Sequence, residues 1–359
     1  MNSRPLALSS ATTLALLACA PIAAQETATQ TPTATGSRTM DARVVPLPAG
    51  VSEAMRRAIA DRQVTAGAPA PADLEGWLAL QRQIDTGAAQ AARDYARKKE
   101  ATYEAMEVGG VPCYLVTPKE IGDRFKDRWL VHLHGGAFVF LGGEACVREA
   151  VWAATACKAR VLSIDYRRPP VHRFPAAVDD AVAVWREVLE RQPAEATALF
   201  GTSAGGNLTL ATTMKLAELD LPLPGALFVG TPATDAEKVG DSWYTLEGLD
   251  PLGRYDGMIR ACFEAYLRPE DFANPLASPV RGDVRGFPPT ILFTGTRDLL
   301  LSDTVRMHRA LRRAGVEAQL HVFEGQAHAD YFAADMFDAP EGEDAKAELV
   351  RFFDTHLAQ

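Results

Sequence analysis

Phe200-Gly201-Thr202-Ser203-Ala204-Gly205-Gly206 is the stretch that decides how the rest of the chain is read. It has the form G-x-S-x-G. Ahead of it, Ala196-Thr197-Ala198-Leu199-Phe200 is a short apolar run that suits a buried strand. Behind it, residues 207–219 are apolar at helical spacing through Leu208, Leu210, Ala211, Met214, Leu216 and Ala217. Strand, glycine-flanked turn and helix, in that order, are the setting in which such a pattern forms a nucleophile elbow. The reason is steric. The chain reverses within a few residues, so the serine takes a strained conformation, and small neighbours let strand and helix approach closely. The hydroxyl then stands clear of the sheet with the positive end of the helix dipole below it. The plainer alternative is a glycine-rich turn with an incidental serine.

Working outward from Ser203, a serine hydroxyl needs a base, and the base needs an orienting acid. After such an elbow the acid and then the base follow in chain order. His308 falls mid-helix among arginines and is expected to be exposed, and His321 falls inside a strand. His328 lies in a loop after the last strand and is the candidate base. Asp298 directly follows the apolar run Ile291-Leu292-Phe293-Thr294-Gly295, at its carboxyl end, and is the candidate acid. Asp303 is the second choice, with the N-cap region of the next helix as its structural alternative. Asp330 is too close to His328 in sequence to be preferred.

A third requirement is a set of N–H donors for a developing oxyanion. One comes from the residue after the serine, Ala204, and others from a loop after an early strand. Leu133-His134-Gly135-Gly136-Ala137-Phe138 supplies such a loop, with donors expected at Gly135, Gly136 and Ala137. Each donor of this kind is worth about 10²–10³ in rate. His132 and His134 share one strand face and read as an H-x-H pair. No further ligands have convincing spacing, so no metal site is expected.

The wider pattern is an α/β one. Residues 103–108 and 111–117 flank Gly109-Gly110 and predict a hairpin, hence an antiparallel edge. Strands are expected at 128–133, 160–166, 225–230, 290–294 and 316–323 beside the elbow strand. Helices are expected at 144–158, 176–191, 303–314 and 342–357. Strands alternating with helices predict a mostly parallel sheet with both faces covered. Residues 241–270 interrupt the alternation with Trp243, Tyr244, Tyr255, Phe263 and Tyr266 and are expected over the carboxyl ends of the strands. Two helices precede the first strand, near 51–63 and 73–99, with Asp73 as an N-cap. They are either packing helices or a cap, 46–100, that brings Trp77 or its neighbours to a substrate. The catalytic domain is 101–359.

The chain has 359 residues, 47% of them hydrophobic, and a formal net charge of −9. That balance argues against nucleic acid or an anionic membrane as the main partner. Arg4 followed by an apolar stretch from Leu6 to Ala18, and Ile22-Ala23-Ala24 before Gln25, predicts an export signal at 1–24. Leu16-Leu17-Ala18-Cys19 resembles a lipoprotein signal, which would make Cys19 a lipid anchor and the protein a membrane-anchored one. Simple export, periplasmic or secreted, is preferred. Residues 25–45 read as a disordered tether. Cys113, Cys146, Cys157 and Cys262 are either disulfide-bonded, with three connectivities, or buried free thiols.

Taken together, the chain resembles the hormone-sensitive lipase family of α/β-hydrolases, in its bacterial esterase branch. The pieces that carry the resemblance are His134-Gly135-Gly136-Ala137-Phe138, Asp165-Tyr166-Arg167, Phe174-Pro175-Ala176-Ala177, Gly201-Thr202-Ser203-Ala204-Gly205-Gly206, Asn274-Pro275-Leu276-Ala277-Ser278-Pro279, Asp298-Leu299-Leu300 and His328. They run in family order across about residues 100–359. The resemblance implies Ser203 as nucleophile, Asp298 as acid, His328 as base, the four N–H donors named above, an N-terminal helical cap and no cofactor. Ala137 stands where many members have a third glycine, and Thr202 resembles the threonine subgroup of the elbow. The expected activity is hydrolysis of short to medium acyl esters. Some lactone hydrolases are similar in the elbow and around Asp298, so lactones are the alternative. A ligand-binding member without turnover is a more distant one. Whether the chain pairs with a second copy of itself is open.

Overall fold

A computed structural model describes residues 42, 44–62, 64 and 69–357. The chain divides into two units, Met1–Pro46 and Leu47–Gln359, and every element below lies in the second. The export signal with Cys19, and all of 25–45 except three residues, lie outside the described residues.

Helices α1 (Glu53–Asp61) and α2 (Leu74–Lys98) come first. Both open on side-chain caps. Ser52 Oγ accepts from the Met55 N–H at 3.1 Å, and Asp73 Oδ1 accepts from the Gly76 N–H at 2.8 Å, satisfying donors that the helix itself cannot. The hairpin β1 (Thr102–Val108) and β2 (Val111–Thr117) follows. Next come β3 (Trp129–Leu133), α3 (Val147–Cys157), β4 (Arg160–Ile164) and α4 (Ala176–Leu189). The centre of the chain forms β5 (Ala198–Thr202), α5 (Ala204–Glu218) and β6 (Ala226–Gly230). The insertion carries α6 (Ser242–Thr245) and α7 (Arg260–Tyr266). The alternation then resumes with β7 (Thr290–Gly295), α8 (Leu301–Arg313), β8 (Ala318–Phe323), α9 (Asp330–Met336) and α10 (Glu341–His356).

One eight-stranded sheet results, in the order β1-β2-β4-β3-β5-β6-β7-β8. The β1–β2 and β2–β4 pairs are antiparallel and the rest parallel. Alternation sorts the strand residues onto two faces. Leu130, Phe200, Phe228, Ile291 and Phe293 meet side chains of α2, α3 and α10, while Val131, Leu133, Leu199, Val229 and Leu292 meet those of α4, α5 and α8. Strands β5, β6 and β7 are buried along their whole length. With helices on both faces neither face needs polar residues, so these strands read as unbroken apolar runs.

The topology also places the site. From β3 the chain crosses to β4 on one side, and from β5 it crosses to β6 on the other. The loops leaving β3 and β5 therefore diverge, and a crevice opens between them at the carboxyl edge.

Several boundaries differ from the sequence reading. Helix α3 begins at Val147, because residues Gly143–Cys146 wind as a 3₁₀ turn. Helix α5 begins at Ala204, so the elbow glycines are already helical. Helix α9 falls between the His328 loop and the last helix, where the sequence reading assigned no element. The four described cysteines are buried free thiols, so the disulfide alternative is not adopted. Burial raises the pKa of each, which keeps them protonated.

Candidate active site

Ser203 joins β5 to α5 with φ 63° and ψ −120°, a conformation that strains a side chain with a Cβ. Hydrogen bonds over-determine it. The Ser203 N–H donates to the Gly230 carbonyl at 2.8 Å, and the Ser203 carbonyl accepts from Asn207 at 3.0 Å and Ala233 at 3.3 Å. The glycines serve close approach to β3. A Cβ at Gly205 would stand 1.9 Å from the Leu133 carbonyl oxygen, and one at Gly201 would stand 2.2 Å from it.

The loop after β3 turns toward the serine. Gly136 has φ +105°, and a Cβ there would lie 2.4 Å from the Phe140 carbonyl oxygen. Ala137 and Phe138 follow with φ 52° and 65°. Among the described residues nothing accepts from the N–H groups of Gly135, Gly136 or Ala137. Ala204 opens α5, where an N–H has no partner within the helix. All four residues line one cavity with Ser203. Aromatic stacking fixes the loop: Phe138 lies on Tyr266 with ring centres 4.1 Å apart, and His134 on Tyr166 at 4.0 Å. The Tyr166 hydroxyl donates to the His134 carbonyl at 2.8 Å.

Asp298 and His328 come together at the ends of β7 and β8. The His328 Nδ1 stands 3.2 Å from Asp298 Oδ1. Asp298 is fully buried and accepts from the Thr294 hydroxyl at 2.7 Å and the Leu300 N–H at 2.9 Å. His328 lines the same cavity as Ser203. Burial opposes its charge, but the hydrogen bond to Asp298 and the negative charges of Asp298, Asp250 and Asp330 outweigh burial and raise its pKa.

The remaining candidates sit elsewhere. Asp303 is not an N-cap. It is buried within α8, and its Oδ2 accepts from the Thr234 N–H at 3.1 Å and the Asp235 N–H at 3.3 Å. Asp330 accepts from the Ala327 N–H at 2.7 Å and pairs with Arg62. His308, expected to be exposed, is half-buried with Nε2 3.3 Å from the Ala318 carbonyl. His321 lies in β8 against Phe293. His356, a further histidine after the serine, ends α10 beside Glu317. His132 and His134 do not converge on a shared partner. His132 lies 2.9 Å from Ser163 Oγ and 3.1 Å from Glu149 Oε2, and Glu149 accepts from Thr202, whose hydroxyl also meets Tyr331. His134 Nδ1 lies against the Gly135 carbonyl at 2.7 Å, and burial holds its pKa well below the usual value.

The sequence reading missed Asp250. This aspartate of the insertion is fully buried. Its Oδ2 accepts from the N–H groups of Leu299 at 3.1 Å and His328 at 2.9 Å. Burial and the charge of Asp298 push its pKa up to about 6. Nothing local marked it, since Asp250-Pro251-Leu252-Gly253 reads as an ordinary turn.

The cavity measures about 440 Å³, and its walls are mainly apolar. The insertion contributes Leu252, Met258, Ile259 and Phe263, and α2 contributes Ile84. Trp77, two turns earlier, does not line the cavity but packs on Phe140, which does, with ring centres 6.3 Å apart.

Residues 130–332 match the family described as the alpha/beta hydrolase fold. The chain is 37% identical over 194 residues to an acetyl-hydrolase of Streptomyces hygroscopicus, covering 54% of this chain and 64% of that protein. It is 28% identical over 229 residues to an esterase of Acinetobacter venetianus, covering 62% and 73%. The crystal structure of an esterase superposes with a TM-score of 0.85 at 44% identity, covering 90% of this chain and 99% of the other. That of an esterase from the bacterial hormone-sensitive lipase family gives 0.75 at 28%, covering 86% and 99%. Fold and site together define an α/β-hydrolase. The chain belongs to the alpha/beta hydrolase fold family, in its hormone-sensitive lipase branch, and is a hydrolase of carboxylesterase type.

Proposed function

We propose that the chain hydrolyses short to medium acyl esters through an acyl-enzyme on Ser203. The single observation that carries this is His328, paired with Asp298 at 3.2 Å and lining one apolar cavity with Ser203. Ser203 attacks the ester carbonyl while His328 takes its proton. Asp298, acting at Nδ1, holds the imidazole so that Nε2 is the basic nitrogen, and it stabilises the imidazolium that forms. The N–H groups of Gly135, Gly136, Ala137 and Ala204 face the developing oxyanion. The alcohol leaves with the proton from His328, and water, activated by the same histidine, releases the acid. A cavity of about 440 Å³ with aliphatic and aromatic walls suits modest acyl groups.

The test is hydrolysis of p-nitrophenyl acetate, butyrate, octanoate and palmitate by the chain and by Ser203→Ala. Turnover of the shorter esters is expected, with kcat lowered about 10⁶-fold in the variant. Retained turnover in Ser203→Ala would refute the mechanism. Intact lactones assayed in parallel measure the alternative substrate of the same residues.

A further inference from the structure

The geometry assigns Asp250 as a positioning residue that binds the cavity wall to the loops carrying Asp298 and His328 and holds the base in register for proton transfer. This rests on the triad reading above. Asp250 lies in the insertion, immediately before the cavity-lining Pro251 and Leu252. One carboxylate oxygen, Oδ2, accepts from both Leu299 and His328, the residues that follow the acid and carry the base. The other, Oδ1, accepts from the Leu252 N–H at 2.7 Å. A single buried side chain thus joins three backbone segments that are far apart in sequence. Ser242 strengthens the same junction by donating to the Leu299 carbonyl at 2.6 Å and accepting from the Ser302 N–H at 2.9 Å.

The charge matters as much as the hydrogen bonds. Around His328 stand Asp298 at Nδ1, Asp250 at the backbone, and Asp330 at the start of α9. Asp330 is already paired with Arg62 at 2.7 Å, so Asp298 and Asp250 are the carboxylates whose charges are least offset. They repel one another across the buried site. When His328 accepts the serine proton, the imidazolium relieves that repulsion. At pH above the His328 midpoint, where the resting base is neutral, Asp250 therefore favours the imidazolium that forms on proton transfer, which is where stabilisation accelerates the reaction.

Two variants of the full chain, assayed on p-nitrophenyl butyrate beside Ser203→Ala, test this. Asp250→Asn removes the charge and turns an amide toward N–H donors. Its kcat is expected to fall about 10–100-fold, as for outer partners that orient a histidine, with KM changed less than about threefold. The acid limb of its kcat/KM–pH profile is expected to move to lower pH, because one charge holding the imidazolium is gone. Asp250→Glu keeps the charge but displaces the carboxylate by a methylene, so kcat falls while the acid limb stays near that of the parent. Wild-type kcat and acid limb in a folded Asp250→Asn overturn the proposal. A lower kcat with an unmoved acid limb also overturns it, since loosened packing alone gives that result. If Asp250→Asn does not fold, wild-type kcat in Asp250→Glu overturns it. Turnover surviving in Ser203→Ala refutes the triad instead, whatever the Asp250 variants do.

Discussion

Ser203, Asp298, His328 and Asp250 differ in how they were legible. Ser203 announced itself through its neighbours, because an elbow needs glycines in fixed places. Asp298 and His328 were legible by order and by position after strands. Asp250 was not, because a buried carboxylate that receives backbone N–H groups from distant loops leaves no local pattern. The runner-up Asp303 separates cleanly from Asp298, since its carboxylate is engaged at Thr234 and Asp235. Asp298→Asn is expected to lower kcat about 10⁴-fold, as loss of the orienting acid does elsewhere. Asp303→Asn is expected to leave kcat within about threefold and to show its effect in thermal unfolding. The pH dependence follows from His328. Its pKa is raised by Asp298, Asp250 and Asp330 against burial, so it keeps its proton to higher pH than a free histidine. A kcat/KM–pH profile should therefore have its acid midpoint above the ordinary histidine value of about 6.5.

Among the elements, the β5–α5 turn carries the tightest constraint. Gly205 sits where a methyl would stand 1.9 Å from the Leu133 carbonyl oxygen, and that oxygen belongs to a strand end that cannot shift without moving the oxyanion loop. Gly205→Ala is expected to destabilise by about 3 kcal/mol, measured by urea unfolding. Retained stability would show that β3 and α5 yield to one another. The alternation of strands and helices was readable because central parallel strands are apolar throughout and their helices are amphipathic. The insertion was readable as an interruption rich in aromatic residues, but its contacts were not. Its contributions to the cavity, Leu252, Met258, Ile259 and Phe263, are set by how residues 251–259 fold back. From α2 it is Ile84 that reaches the cavity. Helical periodicity gives a face, whereas the rotation of that face toward the site depends on what it packs against.

At the scale of the whole molecule, the end of α2 is locked to the last two helices. Asp335 in α9 is almost fully buried and accepts from Lys99 Nζ at 2.8 Å, from Tyr95 at the end of α2, and from Lys346 in α10. Burial works against its charge, but these donors outweigh it and lower its pKa. A lowered carboxylate pKa stabilises the fold above the unfolded aspartate value of about 3.9, and that contribution is lost as pH falls through the lower, folded value. Asp335→Asn is expected to cost about 2 kcal/mol near neutral pH, with the gap to the parent closing under acid conditions, as read by thermal unfolding across pH. A pH-independent gap would place the effect in packing alone. By itself the sequence determined the sheet-and-helix order, the glycine-flanked turn at Ser203, the glycine loop after β3 and the candidates Asp298 and His328, because each is marked by residues close together in the chain. Tertiary structure alone decided the thiol state of the cysteines, the place of Trp77, the walls of the cavity and the partners of Asp250. Those depend on which distant segments meet, and a buried group takes its character from neighbours that sequence distance does not reveal.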